Sequence, residues 1–466
     1  MTWYFGHVWW VRLFFQRGLA ALDLLAFLGA LFQFRPLLGE RGLLPVPAFT
    51  QHVRLRDAPS LFVWRYSDRL LVIVAWTGIV LSATALAGGY EGAPLWIVLW
   101  ALYVSLVNVG QTFYAFGWES MLCEANFFAI FLGTPHTAPS LIPILALRWM
   151  LFRTELGAGL IKLRHDECWR NLTCLEYHYE TQPLPNATSW FFHRQPKLLH
   201  RVAVLFSHFV QVLVPFALFA PQPYASIAGA LTIFHQLWLI VSGNYAWLNW
   251  LTVILGITAF CDWSPAPTAM HPPFMPPLYA LAIATIVLSI KPALNLFSRH
   301  QLMNYSYNPL HIINTYGAFG SVTKERYEIV LEGSNDRSEW HEYGFKAKPG
   351  DVRRTPPQIA PYHLRLDWLM WFLPFSVTVT PRGIAMRGYE VWFIRFVRKL
   401  LEHDRATLTL MRTNPFPEAA PKFIRALYYR YRYTTFAERR ETGAWWHREL
   451  IDVYLPPVSL DALQPV

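Results

Sequence analysis

Charge is what this 466-residue sequence has least of: only 15% of its residues are Asp, Glu, Lys or Arg, against about 25% in soluble domains. That scarcity excludes a wholly soluble chain. Cysteine is also rare, with Cys123, Cys168, Cys174 and Cys261 the only four and no two of them spaced as CxxC. A zinc ribbon or a thioredoxin-like centre is therefore unsupported, and no metal or cofactor motif is found. Internal repeats and low-complexity tracts are missing as well. The N-terminal stretch lacks the basic start, short apolar core and small-residue cleavage site of a signal peptide, which predicts that the first apolar helix is retained. Acidic residues are in deficit, 30 against 40 Lys and Arg, for a net charge of +10. On a soluble chain this would raise nucleic acid as a partner. Here the basic residues lie mostly in loops and the C-terminal third, so lipid head groups are the expected partner and nucleic acid is not.

Apolar residues are what the chain has instead, at 54% of the total, with 16% aromatic. Runs near the roughly 20-residue length that crosses a bilayer predict spans near 18–34, 70–88, 94–109, 113–133, 139–162, 200–220, 226–241, 246–260 and 277–291. About nine spans place the two termini on opposite sides. With the N-terminus inside, the loops at 35–69 and 163–199 and everything after 291 lie outside. The positive-inside rule opposes this orientation, because the 35–69 loop carries Arg35, Arg41, Arg54, Arg56, Arg65 and Arg69.

After Lys291 the hydropathy collapses. The stretch RYEIVLEGSNDRSEWHEYGF from Arg326 reads as strand, polar turn, strand, and RALYYRYRYTT from Arg425 as a further strand with alternating tyrosines. Between them YEVWFIRFVRKLLEHD places Val391, Ile394, Val397 and Leu401 at helical spacing. Gly317 and Gly320 read as a turn into the first strand. The aromatic AWWHRELIDVYLPPVSL from Ala444 is expected to pack the end of the same unit. The fold class is thus a polytopic α-helical membrane protein with a C-terminal soluble, β-rich, sandwich-like domain, divided as 1–292 and 293–466.

Ionisable groups inside spans cost roughly 2.5 to 3.5 kcal/mol each on insertion scales, so they mark partners or tasks. On the fifth span Arg148, Glu155 and Lys162 are spaced seven and seven. They form one stripe with neighbours about 10.5 Å apart, too far for salt bridges along the helix. Glu119 and Glu124 of the fourth span are their expected partners. Two readings stand: a polar network that sets helix register, or a cavity in which Lys162 acts as a base, flanked by Glu155.

The loop after the fifth span is dense in functional residue types. Cys168 and Cys174 are close enough in sequence for a disulfide if the loop faces an oxidising compartment. If EYHYE is extended, Glu176, His178 and Glu180 share one face, either as ligand-like groups or in a hydrogen-bonded core. Trp190, Phe191 and Phe192, pinned by Pro183, Pro185 and Pro196 and followed by His193, are expected to lie against the bilayer surface and to anchor the loop or grip a client. Asn171, Asn186 and Asn304 head Asn-x-Ser/Thr sequons, which matter only on a luminal side.

GAGLIKLRHDECWRNLTCLEYHYETQPLPNATSWFFHRQP from Gly157 resembles the signature segment of the lipase maturation factor family. FRPLLGERGLLPVPAF, NTYGAFGSVTKERYEIVLEG, PPQIAPYHLRLDWLMWF and ETGAWWHRELIDVYLPP are similar to that family too, so the likeness runs along nearly the whole chain. It implies a multi-pass protein, of the endoplasmic reticulum membrane in eukaryotes and the inner membrane in bacteria, with its C-terminal domain luminal or periplasmic. It also implies a role in the folding and assembly of secreted lipases. A shorter likeness links AGLIKL to vitamin K-dependent gamma-carboxylases, whose active-site base is a lysine in that motif; Lys162 is the matching position. The expected function is therefore a membrane-embedded maturation factor for exported proteins, with His178, Glu180, Trp190, Phe191 and His193 in its client-binding loop. The alternative is a membrane enzyme acting on a lipid, quinone-like or protein substrate. A transporter is disfavoured, since no broken helices or inverted halves are visible.

Overall fold

A computed structural model describes Tyr4 and residues 6–264, 270–381 and 383–463. Helices occupy all nine apolar segments: α1 (Trp9–Leu38), α2 (Asp68–Ala87), α3 (Ala93–Val109), α4 (Gly117–Ala129), α5 (Leu141–Arg164), α6 (Lys197–Ala217), α7 (Tyr224–Ser242), α8 (Leu248–Ile257) and α9 (Met275–Phe297). Five of them, α1, α2, α6, α7 and α9, are long and apolar enough to cross a membrane. The rest fall short for identifiable reasons. α3 and α8 are apolar but short, α4 has 13 residues, and α5 carries Arg148, Arg153, Glu155, Lys162 and Arg164. Length and apolarity thus establish an integral membrane protein, with nine crossings more than they alone support.

Local chemistry sets the helix ends. Ser67 caps α2 by accepting from the Leu70 N–H, and Gly88 closes it at φ +77°, a left-handed turn that glycine adopts without strain. Ser140 caps α5 through the Ile142 N–H. Within α6, residues Phe209–Leu213 form a π turn. The cause lies four residues beyond Gln211: Pro215 has no N–H to donate to the Gln211 carbonyl and its ring crowds that oxygen, so the helix widens by one residue. Gly159 of α5 allows this turn to approach, because a Cβ there would meet Val212 Cγ2 at 2.8 Å and the Gln211 backbone at 3.0 Å.

Past α9 the chain builds an antiparallel sheet in the order β2-β1-β5-β6 from β1 (Arg326–Ser334), β2 (His341–Glu342), β5 (Phe423–Tyr433) and β6 (Trp446–Val458). Ile329 faces Tyr428 and Leu331 faces Ala426 in the β1/β5 register. A separate hairpin joins β3 (Val377–Thr380) to β4 (Gly383–Met386). A sandwich was the expectation; among the described residues there is one four-stranded sheet and this hairpin. The layer that a second sheet would supply comes largely from helix α10 (Val391–Leu401), whose Phe393, Phe396, Val397 and Leu400 share a core with Ile329, Leu331 and Ile424. Its buried face is shifted from the expected stripe, with Val391 45% exposed and Trp392, Phe393 and Phe396 buried. The larger aromatics remove more apolar surface from water, and the helix turns to bury them. Trp445, Trp446, Tyr431 and Tyr433 pack together with Trp190 at the end of β5 and β6.

Helices and sheet are joined through one continuous core. Residues 356–372 insert into the helical part: Gln33 Nε2 donates to the His363 carbonyl at 2.7 Å and Asn244 Oδ1 accepts from the Ile359 and Ala360 N–H groups at 2.8 and 2.9 Å. Gly317 and Gly320 do more than lead into β1. Both lie against Ile161 near the end of α5, and the Gly320 carbonyl accepts from the Asp166 N–H at 3.1 Å.

Candidate functional site

The polar stripe of α5 is buried throughout, but its partners are not the expected ones. Glu124 receives Arg153, one helical turn beyond Trp149, together with the Asn314 N–H at 2.9 Å and the Tyr316 hydroxyl at 2.7 Å. Glu119 receives Arg365 at 2.6 Å and the Tyr103 hydroxyl. Neither carboxylate of α4 pairs with Arg148 or Lys162. Arg148 Nε instead donates to the Thr258 carbonyl at 2.7 Å and its NH1 to the Leu218 carbonyl at 3.2 Å. A cation that meets the C-terminal carbonyls of α8 and α6 satisfies acceptors that have no intrahelical donor. Its role is to hold three helices together.

Glu155 and Lys162 belong to a second network. Gln211, presented by the π turn, bridges them: its Nε2 donates to Glu155 Oε2 at 3.2 Å and its Oε1 accepts from Lys162 Nζ at 2.8 Å. Gln236 of α7 donates to Glu155 Oε1 at 2.6 Å and accepts from Asn249 of α8 at 2.7 Å. Lys162 also reaches Ser207 Oγ at 3.4 Å and sits 4.6 Å from the centre of the Trp169 ring. These groups line a cavity of about 330 Å³ between α5, α6 and α7, closed on the loop side by Trp169, His178 and Phe319. The sequence showed Glu155, Lys162 and, as a polar residue in an apolar span, Asn249 of this network. It also contained a signal for Gln211, a polar residue in an apolar span four positions before a proline.

The EYHYE stretch of the exit loop is helical, so the extended case does not hold. Leu175–Thr181 forms a short helix, so Glu176 and Glu180 share a face while His178 turns inward, and the proposed ligand-like row is not formed. Cys174 opens this helix and is joined to Cys168 by a disulfide. His178 Nε2 lies 3.0 Å from the Tyr245 hydroxyl. Ala187–His193 forms a second short helix, capped by Asn186. That sequon residue is buried, whereas Asn171 and Asn304 are exposed. Trp190, expected at the bilayer surface, is fully buried and donates through Nε1 to the Thr434 carbonyl at 2.9 Å. Glu180 accepts from the Tyr433 N–H at 2.6 Å, and Arg326 donates to the Glu180, Gln182 and Pro183 carbonyls. The loop is therefore clamped to the ends of the central strands β1 and β5, with Phe191 exposed at the surface.

Acid should loosen this junction. Burial, with Lys162 adding to it, pushes His178 down to about 3 from 6.5. Burial and the charges of Arg194 and His200 push His193 down to about 3 as well, so its 3.5 Å approach to Glu180 is a contact of a neutral ring. Below about pH 6.5 the unfolded chain binds protons that the folded chain refuses. Stability then falls with pH by up to about 1.4 kcal/mol per unit for each histidine. Glu180, raised by burial, opposes them at the acid end with one group against two. We expect the unfolding temperature in detergent to fall between pH 7 and pH 5, and the slope to flatten in a His178→Asn, His193→Asn variant. A pH-independent transition would contradict it.

Five helices long and apolar enough to cross a membrane, charged groups buried among the helices and a β-sheet docked on the loop after α5 define an integral membrane protein with a C-terminal domain folded against it. Comparison with known proteins narrows the class. The family profile for the lipase maturation factor transmembrane domain matches residues 10–265, and that for the lipase maturation factor C-terminal domain matches residues 312–456. Lipase maturation factor 1 of Bos taurus is 39% identical over 98% of this chain and 91% of its own, and that of Homo sapiens 38% over 99% and 90%. Lipase maturation factor 2 of Homo sapiens is 26% identical over 96% and 82%. The chain belongs to the lipase maturation factor family. No solved structure matches it.

Proposed function

We propose that this protein is a membrane-embedded maturation factor that assists the folding and assembly of secreted lipases, with about nine crossings and a C-terminal domain, from about residue 293, on the luminal or periplasmic side. The compartment would be the endoplasmic reticulum in a eukaryote and the inner membrane in a bacterium. Similarity to the maturation factors along nearly the full length supports the activity. The observation that carries the client face is a pair of exposed aromatics: Phe191 of the exit loop and Phe436 beside β5, 44% and 62% exposed, both packed on the buried Trp190 at 5.0 and 4.8 Å. Arg439 lies over the same rings, 4.6 Å from Trp190 and 5.5 Å from Phe191. Exposed apolar rings held rigidly from below suit an unfolded or partly assembled client.

The test is secretion of active lipase from cells that lack their own maturation factor. The wild-type chain should restore it, and Phe191→Ser with Phe436→Ser should lower the yield at least fivefold at unchanged membrane-protein level, since both rings lie at the surface. Full activity in the double variant would remove the client face; no rescue by the wild type would remove the function.

A further inference from the structure

The cavity between α5, α6 and α7 is not accounted for by client binding on the far side of the loop. Its walls are apolar, built from Leu199, Val202, Phe206, Phe234 and Trp238. Leu199, Val202, Phe234 and Trp238 are at the same time among the residues that α6 and α7 expose, on two helices long and apolar enough to lie in hydrocarbon. The walls therefore continue from the lipid-facing surface into the cavity, and an apolar chain can enter sideways without leaving the bilayer. At about 330 Å³ the space is near the lower end of ligand pockets, roughly 300 to 1,000 Å³, and suits one acyl chain.

The inner end is different in kind. Lys162 stands in the last turn of α5, where the chain leaves that helix for the loop. Of its three N–H donors, one reaches Gln211 at 2.8 Å and another reaches Ser207 only at 3.4 Å. Among the described residues no carboxylate oxygen lies within ion-pair distance of Nζ. Glu155, the carboxylate of the same network, has both oxygens occupied by the amides of Gln211 and Gln236. The positive pole of the network is thus the one with capacity left. His235 Nδ1 and Asn249 Oδ1, buried in the same lining, have no hydrogen-bond partner. Buried polar atoms left in this condition in an otherwise apolar lining are costly unless a partner completes them.

We propose that this cavity binds a single-chain amphiphile from the bilayer, with its tail between α6 and α7 and an anionic oxygen head group on Lys162. A fatty carboxylate and a lysophospholipid phosphate share that chemistry. This inference does not rest on the maturation role.

The test uses the full-length protein in nanodiscs and a palmitic acid probe carrying a photoreactive diazirine and an alkyne. Adducts should map to residues 197–242 and disappear under excess oleate or lysophosphatidate, whichever is the natural head; competition by one alone assigns carboxylate or phosphate. Lys162→Met should lower labelling at least fivefold. So should Ala203→Trp, which fills the slot from α6 and leaves Lys162 in place, so that a folding defect in the lysine variant does not decide the matter. Equal competition by oleyl alcohol, or full labelling of Lys162→Met, overturns the anionic head. Undiminished labelling of Ala203→Trp, or adducts confined to the outer faces of α2 and α9, overturns the site.

Discussion

Replacing Arg365 by Met should lower stability by about 3 to 5 kcal/mol, the range for removing one partner of a buried ion pair. Arg365 and Glu119 are both almost wholly excluded from solvent and meet at 2.6 Å. The guanidinium also donates to the Phe113 carbonyl at 2.7 Å and lies 3.4 Å over the Tyr114 ring. Once the arginine is gone, Glu119 remains as a buried carboxylate with the Tyr103 hydroxyl as its remaining side-chain donor. The pair also pins residues 356–372 into the helical part, so its loss should loosen that insertion. The double variant Glu119→Gln, Arg365→Met removes the stranded charge and should recover more than half of the loss. Thermal unfolding in detergent micelles, compared across the four proteins of the cycle, measures both effects. A change below about 1 kcal/mol in Arg365→Met would show that water reaches Glu119 and that the pair is not the fastener described here.

Trp190→Ala should be comparably severe, about 3 to 5 kcal/mol for deleting a fully buried large aromatic, but its consequence is local. Trp190 holds the exit loop to the sheet through the Thr434 carbonyl and through Phe436, Trp445 and Arg439. Without it, amide exchange should rise over residues 175–196 and at the ends of β5 and β6, while α1 to α5 remain protected. Trp190→Phe keeps most of the packing and drops the hydrogen bond, so it should cost only about 1 kcal/mol. If the two substitutions proved equal, the hydrogen bond and not the ring would be what docks the loop. If exchange rose throughout the helices, the loop would be part of one cooperative unit with them.

Much of this architecture is present in the linear pattern. Apolar runs between polar breaks specify helices, because backbone groups in hydrocarbon must be paired within the segment. Alternating tyrosines and arginines specify β5 in the same direct way. Lys162 and Glu155 were visible because charge in a span is rare enough to be noticed. Their partners were not visible. Gln211 and Gln236 are ordinary polar residues whose meaning depends on a π turn and on which helices meet. Arg153 sits outside the seven-residue stripe that drew attention to Arg148, and Arg365 comes from a segment 246 residues after Glu119.

By itself, then, the order of residues determined the class, the nine apolar helices, strands β1 and β5 and the family, all of which depend on local periodicity or on long matching motifs, but not the hairpin of β3 and β4, strand β6 or the short helices of the exit loop. Only the tertiary structure decided that Arg148 serves helix ends, that Trp190 faces inward, and that Lys162 closes an apolar slot. The physical reason is range. Helix and strand formation read neighbours a few residues away, whereas pairing a buried charge depends on groups brought together from distant parts of the chain, and no spacing rule encodes that choice.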